Sequence, residues 1–301
     1  MRSLQRFLRE RSAVAGLTFV VLLVLIAVVG PFLTSTQPDV VIHAWLGQPQ
    51  PPSGAHWFGT DLLGRDEFVR MLYGARVSLL VGATAMALSF SIGVLYGAVA
   101  GFAGGVVDNL MMRFVDAMLS FPTFFLLLII SALTNQFSLA VIILIIGLTA
   151  WPGLARLVRA EVLSLRERDF VEAARALGAS PARLVLRHLI PNALAPVVVA
   201  AAFAIGDNIL AESSLSFFGL GVQPPQPSWG NMLQDALTPQ AEAAPWMVLV
   251  PGLAIVVTVL AFSVIADGIR VALDTSIGQE SGADTLDVEP APYAAAPATA
   301  G

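Results

Sequence analysis

Cysteine and lysine are both absent from the 301 residues, and only three histidines occur, at 43, 56 and 188. Without cysteine there is no disulfide framework, thiolate metal site or thiol nucleophile. Without lysine, a phosphate-binding loop of the form G-x-x-x-x-G-K-[ST] cannot exist, so any nucleotide hydrolysis must come from another polypeptide. The dispersed histidines argue against a His-based metal centre, and no metal or cofactor is expected on this chain. Charge is scarce too: 12% of residues carry it, about half the share in an ordinary soluble domain.

Apolar residues fill the gap, at 56% of the chain with a mean hydropathy of +0.79. A bilayer core takes about 20 apolar residues per helix. Stretches 13–33, 77–102, 114–134, 139–157, 192–211 and 246–266 meet or approach that length. The fourth carries Trp151-Pro152-Gly153 near its end, which predicts a break or tilt there. The first follows Arg2, Arg6, Arg9 and Arg11 and is longer than the apolar region of a signal peptide, with no A-x-A-like cleavage site, so it is expected to be a retained helix.

These features predict an all-α integral membrane protein with six spans and both termini cytoplasmic. All sixteen basic residues are arginine, and this orientation places thirteen inside and only Arg65, Arg70 and Arg76 outside, as the positive-inside rule requires. The chain then divides into a cytoplasmic segment 1–12, a membrane domain 13–275 and a tail 276–301. Inner loop 158–191 and outer loops 34–76 and 212–245 belong to the membrane domain. The Ala/Pro-rich tail, with Glu280, Asp284, Asp287 and Glu289, is expected to be disordered. Gly93, Gly97 and Gly101 recur every fourth residue of the second span, a pattern for close helix packing in lipid, first of all within one subunit.

The inner loop holds "DFVEAARALGASPARLVLRHLIP", residues 169–191. Asp169 is expected to cap a helix, with Glu172 three residues on reaching back in a capping box. Phe170, Ala173, Ala174 and Leu177 share one face at helical spacing. Gly178 stands where a helix ends in left-handed geometry. After Ala179, Ser180 and Pro181 supply a cap and a first-turn proline for a second helix leading into the fifth span. A helix this short is not stable alone, and a face made mainly of alanine suits a groove on another protein better than lipid headgroups.

"EAARALGASPARLVLRHLIP" resembles the cytoplasmic loop signature of bacterial ABC importer permeases, E-A-A, three residues, G, nine residues, I-x-L-P. Glu172, Ala173, Ala174, Gly178 and Pro191 match, while His188 and Ile190 replace Ile and Leu. "HWFGTDLLGRDEFVRMLYGARVSLLVG" (56–82) is similar to the amino-terminal signature of the C-type permease in the dipeptide, oligopeptide and nickel importer branch. "DNLMMRFVDAMLSFPT" (108–123) and "ILAESSLSFFGLGVQPPQPSWGNML" (209–233) resemble further blocks of that branch. The resemblance spans about 13–275 and implies type I ABC importer permease architecture, with residues 172–178 as a coupling helix docked in an ATPase subunit. It also implies a second homologous permease, two ATPase subunits that use ATP and magnesium, and an extracytoplasmic peptide-binding protein. Peptides are the expected cargo, nickel or another small solute the alternative; a nucleic-acid partner is not expected.

For the outer signature, Gly59, Asp61 and Gly64 read as turn chemistry. Asp66 with Arg65 or Arg70 is expected to pair at an exposed surface, where a bridge contributes little, so a structural role in shaping the outer face and gate is favoured. The proline-rich 213–245 is expected to cover the outer mouth and touch the delivery protein. Asp207 is the ionisable residue nearest the lipid core and a default candidate for the path. With Glu212, Asp61, Arg65 and Asp66 it forms the candidate outer gate. Two rivals fare worse. A secondary transporter predicts internal repeats and several midspan charges, and only Asp207 answers. A membrane hydrolase needs a nucleophile with a base, or a metal site.

Overall fold

The computed structural model describes residues 2–34, 36–42, 46–134, 138–238 and 243–273, and the tail expected at 276–301 lies outside them. Among the described residues the regular structure is helical, with one isolated bridge between Thr60 and Asp66. The helices are α1 (Arg2–Arg9), α2 (Arg11–Leu33), α3 (Glu67–Ala103), α4 (Gly105–Ser120), α5 (Thr123–Thr134), α6 (Leu139–Leu165), α7 (Asp169–Ala176), α8 (Pro181–Arg183), α9 (Ile190–Phe217), α10 (Trp229–Asp235) and α11 (Trp246–Leu273). A π-helical turn, Leu184–Leu189, joins α8 to α9, so that 181–217 forms one helix of 37 residues.

By length and composition five helices can cross a membrane, α2, α3, α6, 181–217 and α11, and a sixth crossing exists if α4 and α5 are taken together. That pair is bent by 85°, where the sequence predicts an unbroken 114–134. Pro122 is the cause: the residue before a proline is driven out of the helical region, and Phe121 has φ −88° and ψ 133°. The break predicted at Pro152 does not occur. Helix α6 runs through it, because Trp151 and Pro152 are buried and Trp151 is clamped by Tyr96 on α3 and Phe114 on α4, at ring separations of 4.6 and 6.2 Å.

The glycine stripe is where α3 meets α6. A Cβ on Gly93 would come within 2.7 Å of Leu154, and one on Gly101 within 2.9 Å of the Arg159 carbonyl; on Gly97 it would strike the Ala155 carbonyl. The close approach lies inside the chain, as expected of a small-residue seam. Both helices run the same way, since 93, 97 and 101 meet progressively later residues of α6. Helix α9 runs against them, with Ile209 beside Gly82 and Val197 clustered near Val94. One end of the bundle therefore gathers the starts of α3, α6 and α11 with the end of α9. The other gathers α7, the ends of α3, α6 and α11, and the start of α2. Outward faces of α2 (Leu22, Ile26, Val29) and α11 (Leu253, Val256, Leu260) are apolar and exposed, as lipid contact requires.

Candidate functional site

Two ends of the bundle carry candidate machinery. At the first, α7 forms a compact turn after α6. Its cap differs from the sequence expectation. Arg168 is the N-cap, with φ −84° and ψ 147° and no side-chain cap bond. Asp169 is therefore already inside the first turn, and Asp169 and Glu172 are left as exposed acids near the positive end of the helix dipole. The capping box does not form because the chain reaches helical geometry one residue earlier than a box at Asp169 needs.

The C-terminus forms as expected. Gly178 has φ +82°, its N–H donates to the Arg175 carbonyl at 3.0 Å, and the Ala179 N–H reaches back to the Ala174 carbonyl at 3.0 Å. These two bonds are the Schellman closure, and the left-handed residue it needs is a glycine. Ser180 accepts from the Arg183 N–H at 3.4 Å, and Pro181 opens the next helix. The π turn follows, with the Ile190 N–H bonding back to Val185 immediately ahead of Pro191, which has no N–H to give.

Val171, absent from the expected face, anchors α7. It is fully buried among Val162 of α6 and Leu184 and Leu189 of the next helix. Burying one valine contributes roughly 1.5–2 kcal/mol. Phe170, Ala173 and Leu177 point the other way, and Leu177 is 89% exposed. Ala174, at the edge of that arc nearer Val171, is half-buried with Ala179 against the same cluster. The turn is thus fixed on its inner side and presents Phe170, Ala173 and Leu177 outward.

At the opposite end, the paired charges differ from expectation in partner and in burial. Asp61 takes the Arg65 Nε at 2.5 Å and the Arg70 Nη1 at 2.6 Å. Both guanidinium groups also reach Asp235 of α10 at 2.7 Å. Asp61 is 1% exposed and Arg70 3%, so this is a buried clasp and not a surface bridge. Asp66 takes no part in it. Asp66 caps α3 by accepting from the Val69 N–H at 3.1 Å and holds His56 Nδ1 at 2.7 Å. The turn reading of the loop holds: the Asp61 carboxylate also accepts the N–H of Leu63 and Arg65, and Gly59 and Gly64 have φ of +76° and +72°. Glu67, fully buried beside the clasp, has no hydrogen-bond partner and lies 3.8 Å from Arg70.

Glu212 is fully buried on α9, where it accepts from Ser78 of α3 at 2.8 Å and from Ser216 at 2.7 Å. Trp229, also fully buried, donates from its indole to the Met71 carbonyl. Asn231 and Ser228 complete a capping box on α10. Residues 218–238 are consequently tied to α3 and α9 by specific bonds. Asp207 stands apart, exposed on the outer surface of α9. Helix α9 continues ten residues past it, about 15 Å, so it lies deeper than a span ending at 211 implies. Four of the five residues proposed for an outer gate therefore fall into three separate groups, Asp61 with Arg65, Asp66 with His56, and Glu212 with its serines, and Asp207 joins none of them. Asp235, Ser78 and Trp229 were not foreseen as partners, and Arg70, expected beside Asp66, pairs with Asp61 instead. Asp235 is 165 residues from Arg70, and no local pattern announces such a pairing.

Residues 93–279 match the family described as the binding-protein-dependent transport system inner membrane component, and residues 2–52 match the N-terminal TM domain of oligopeptide transport permease C. The chain is 39% identical over 273 residues to the dipeptide transport system permease protein DppC of Bacillus subtilis, covering 91% of this chain and 84% of that protein. It is 41% identical over 271 residues to the oligopeptide transport system permease protein OppC of Haemophilus influenzae, covering 90% and 86%. A putative peptide permease of Brucella suis is 40% identical over 274 residues, covering 91% and 90%. The family match contains α7 and, of the cage, Glu212 and Ser216; Ser78 and the Asp61–Arg70 half of the clasp fall between the two matched segments.

Proposed function

The chain belongs to the family of binding-protein-dependent transport inner membrane components, in its dipeptide and oligopeptide permease branch, and we propose from this that it moves peptides inward as one of two permeases in an ATP-driven ABC importer. It is a multi-pass protein of the bacterial inner membrane, and α4 and α5 together make its third span of six. Both termini are cytoplasmic, supported by the arginine distribution, thirteen to three. A second homologous permease completes the path, two ATPase subunits bind below, and an extracytoplasmic binding protein delivers cargo above. Hydrolysis of ATP with magnesium belongs to the ATPases, in keeping with the missing lysine.

The observation that carries the proposal is the two-faced α7. Val171 fixes it to the bundle while Phe170, Ala173 and Leu177, with the acids Asp169 and Glu172 alongside, form a small exposed knob suited to a groove on an ATPase subunit. Gly178, Ala179, Ser180 and Pro181 close the turn and pass directly into a 37-residue helix. That helix spans about 55 Å and ends at the Glu212 cage. Closure of the ATPases displaces α7, and the long helix transmits the displacement across the membrane as a rigid element. At the outer end the buried clasp makes the turn at Asp61–Arg65, the start of α3 and α10 move together, and Asp207, exposed on this chain, faces the path.

The test is uptake into proteoliposomes holding the four-subunit complex with binding protein outside and ATP within. Labelled dipeptide should accumulate, and Leu177→Asp should abolish uptake while the permease pair still assembles. Accumulation of nickel with no peptide uptake would replace the cargo assignment; full uptake by Leu177→Asp would overturn the coupling assignment.

A further inference from the structure

Helix α1 takes no part in the coupling turn or the clasp described above, yet its residues are sorted by chemistry around the helix. At about 100° per residue, Leu4, Phe7 and Leu8 share one arc and Arg6 and Arg9 the opposite one. The chain turns after α1, since Glu10 is extended with φ −81° and ψ 100°. A straight helix would hold residues 7 and 13 about 9 Å apart along its axis. Here both lie against Gly268 of α11, where an added Cβ would come within 3.1 Å of the Phe7 ring and collide with Ala13. Helix α1 is therefore folded across the end of α11, level with the start of the 23-residue apolar helix α2.

Phe7 occupies the protein side of this arrangement. Leu4 and Leu8, one turn apart, are 63% and 57% exposed, level with the first turns of the apolar helix α2. Charge is matched to the same place. Glu10 is the only acid in residues 1–38, against Arg2, Arg6, Arg9 and Arg11. We propose that α1 lies in the membrane plane and binds a lipid surface, with Leu4 and Leu8 at the acyl boundary and Arg6 and Arg9 among anionic phospholipid headgroups. Only the choice of leaflet depends on the orientation proposed above.

This chain holds no cysteine, so a single introduced site can be labelled on it without competition from the rest of the chain. Leu4→Cys, Gln5→Cys and Leu8→Cys, each nitroxide-labelled in the intact transporter, are compared in three media. These are nanodiscs of phosphatidylcholine, nanodiscs of phosphatidylcholine with phosphatidylglycerol, and detergent. Oxygen accessibility relative to a water-soluble nickel chelate should be several-fold higher at 4 and 8 than at 5, and the contrast should grow with phosphatidylglycerol. Arg6→Ala with Arg9→Ala should remove that growth. Nickel accessibility at 8 equal to that at 5 would overturn the proposal. So would indifference to phosphatidylglycerol, with detergent as the reference medium that holds no anionic lipid.

Discussion

Phe170 and Val171 are adjacent, similar in polarity and opposite in what they contact, so substitutions there separate folding from docking. Val171→Ala removes methyl groups from a fully buried site and should destabilise the permease by about 1–3 kcal/mol, a transfer cost plus a cavity cost, read as a lower midpoint of thermal unfolding in detergent. Leu177→Asp changes a side chain that is 89% exposed. It should leave that midpoint unchanged and instead remove the ATPase subunits from co-purification with the permease. The same reasoning ranks the charges. Arg70→Ala would leave the buried Asp61 to Arg65 alone and take the cation away from the buried Glu67, a loss of about 3–5 kcal/mol. Asp66→Ala, at a capping residue on the rim, should cost about 1 kcal/mol. Equal losses for the two variants in urea or thermal denaturation would contradict the clasp.

Helix α3 shows what an element adds beyond its residues. Its glycines leave room for the α6 backbone, so Gly97→Leu should force the two helices apart and cost more than the 1–3 kcal/mol typical of overpacking, measurable as loss of the folded monodisperse species; Leu95→Ala, on the exposed face of the same helix, should be near neutral. Periodicity and small-residue spacing made this seam legible in sequence, as they did the Schellman end of α7 and the helix leading from Pro181, because each is decided by neighbours within a few residues. The helix break was misassigned between two prolines for a physical reason. A proline can be carried within a helix when neighbouring helices clamp it, as Tyr96 and Phe114 clamp Trp151, and only tertiary contacts separate Pro152 from Pro122. The capping of α7 failed by a single residue, a margin local pattern does not resolve. Asp235 and Ser78 could not be assigned as partners at all, since their bonds close loops of 165 and 134 residues.

Across the whole molecule, the segment 181–217 is the only described helix that begins at the α7 turn and ends in the buried cage of Glu212, Ser78 and Ser216. If it works as a lever, damage at its two ends must fail differently. Gly178→Pro removes the N–H that closes the turn and forbids φ of +82°, so the ATPases should lose both attachment and stimulation by binding protein. Glu212→Ala leaves α7 untouched but deprives two hydroxyls of their acceptor and loosens the hold on α10. Removing one member of a buried hydrogen-bonded group costs about 1–3 kcal/mol, which softens the far end without breaking the near one. ATPase co-purification should then persist, while peptide uptake per ATP hydrolysed falls. Restoring an acceptor with Glu212→Gln should recover part of that ratio. Identical phenotypes for Gly178→Pro and Glu212→Ala, or a Glu212→Ala transporter with unchanged peptide-to-ATP ratio, would show that the long helix does not couple the two ends.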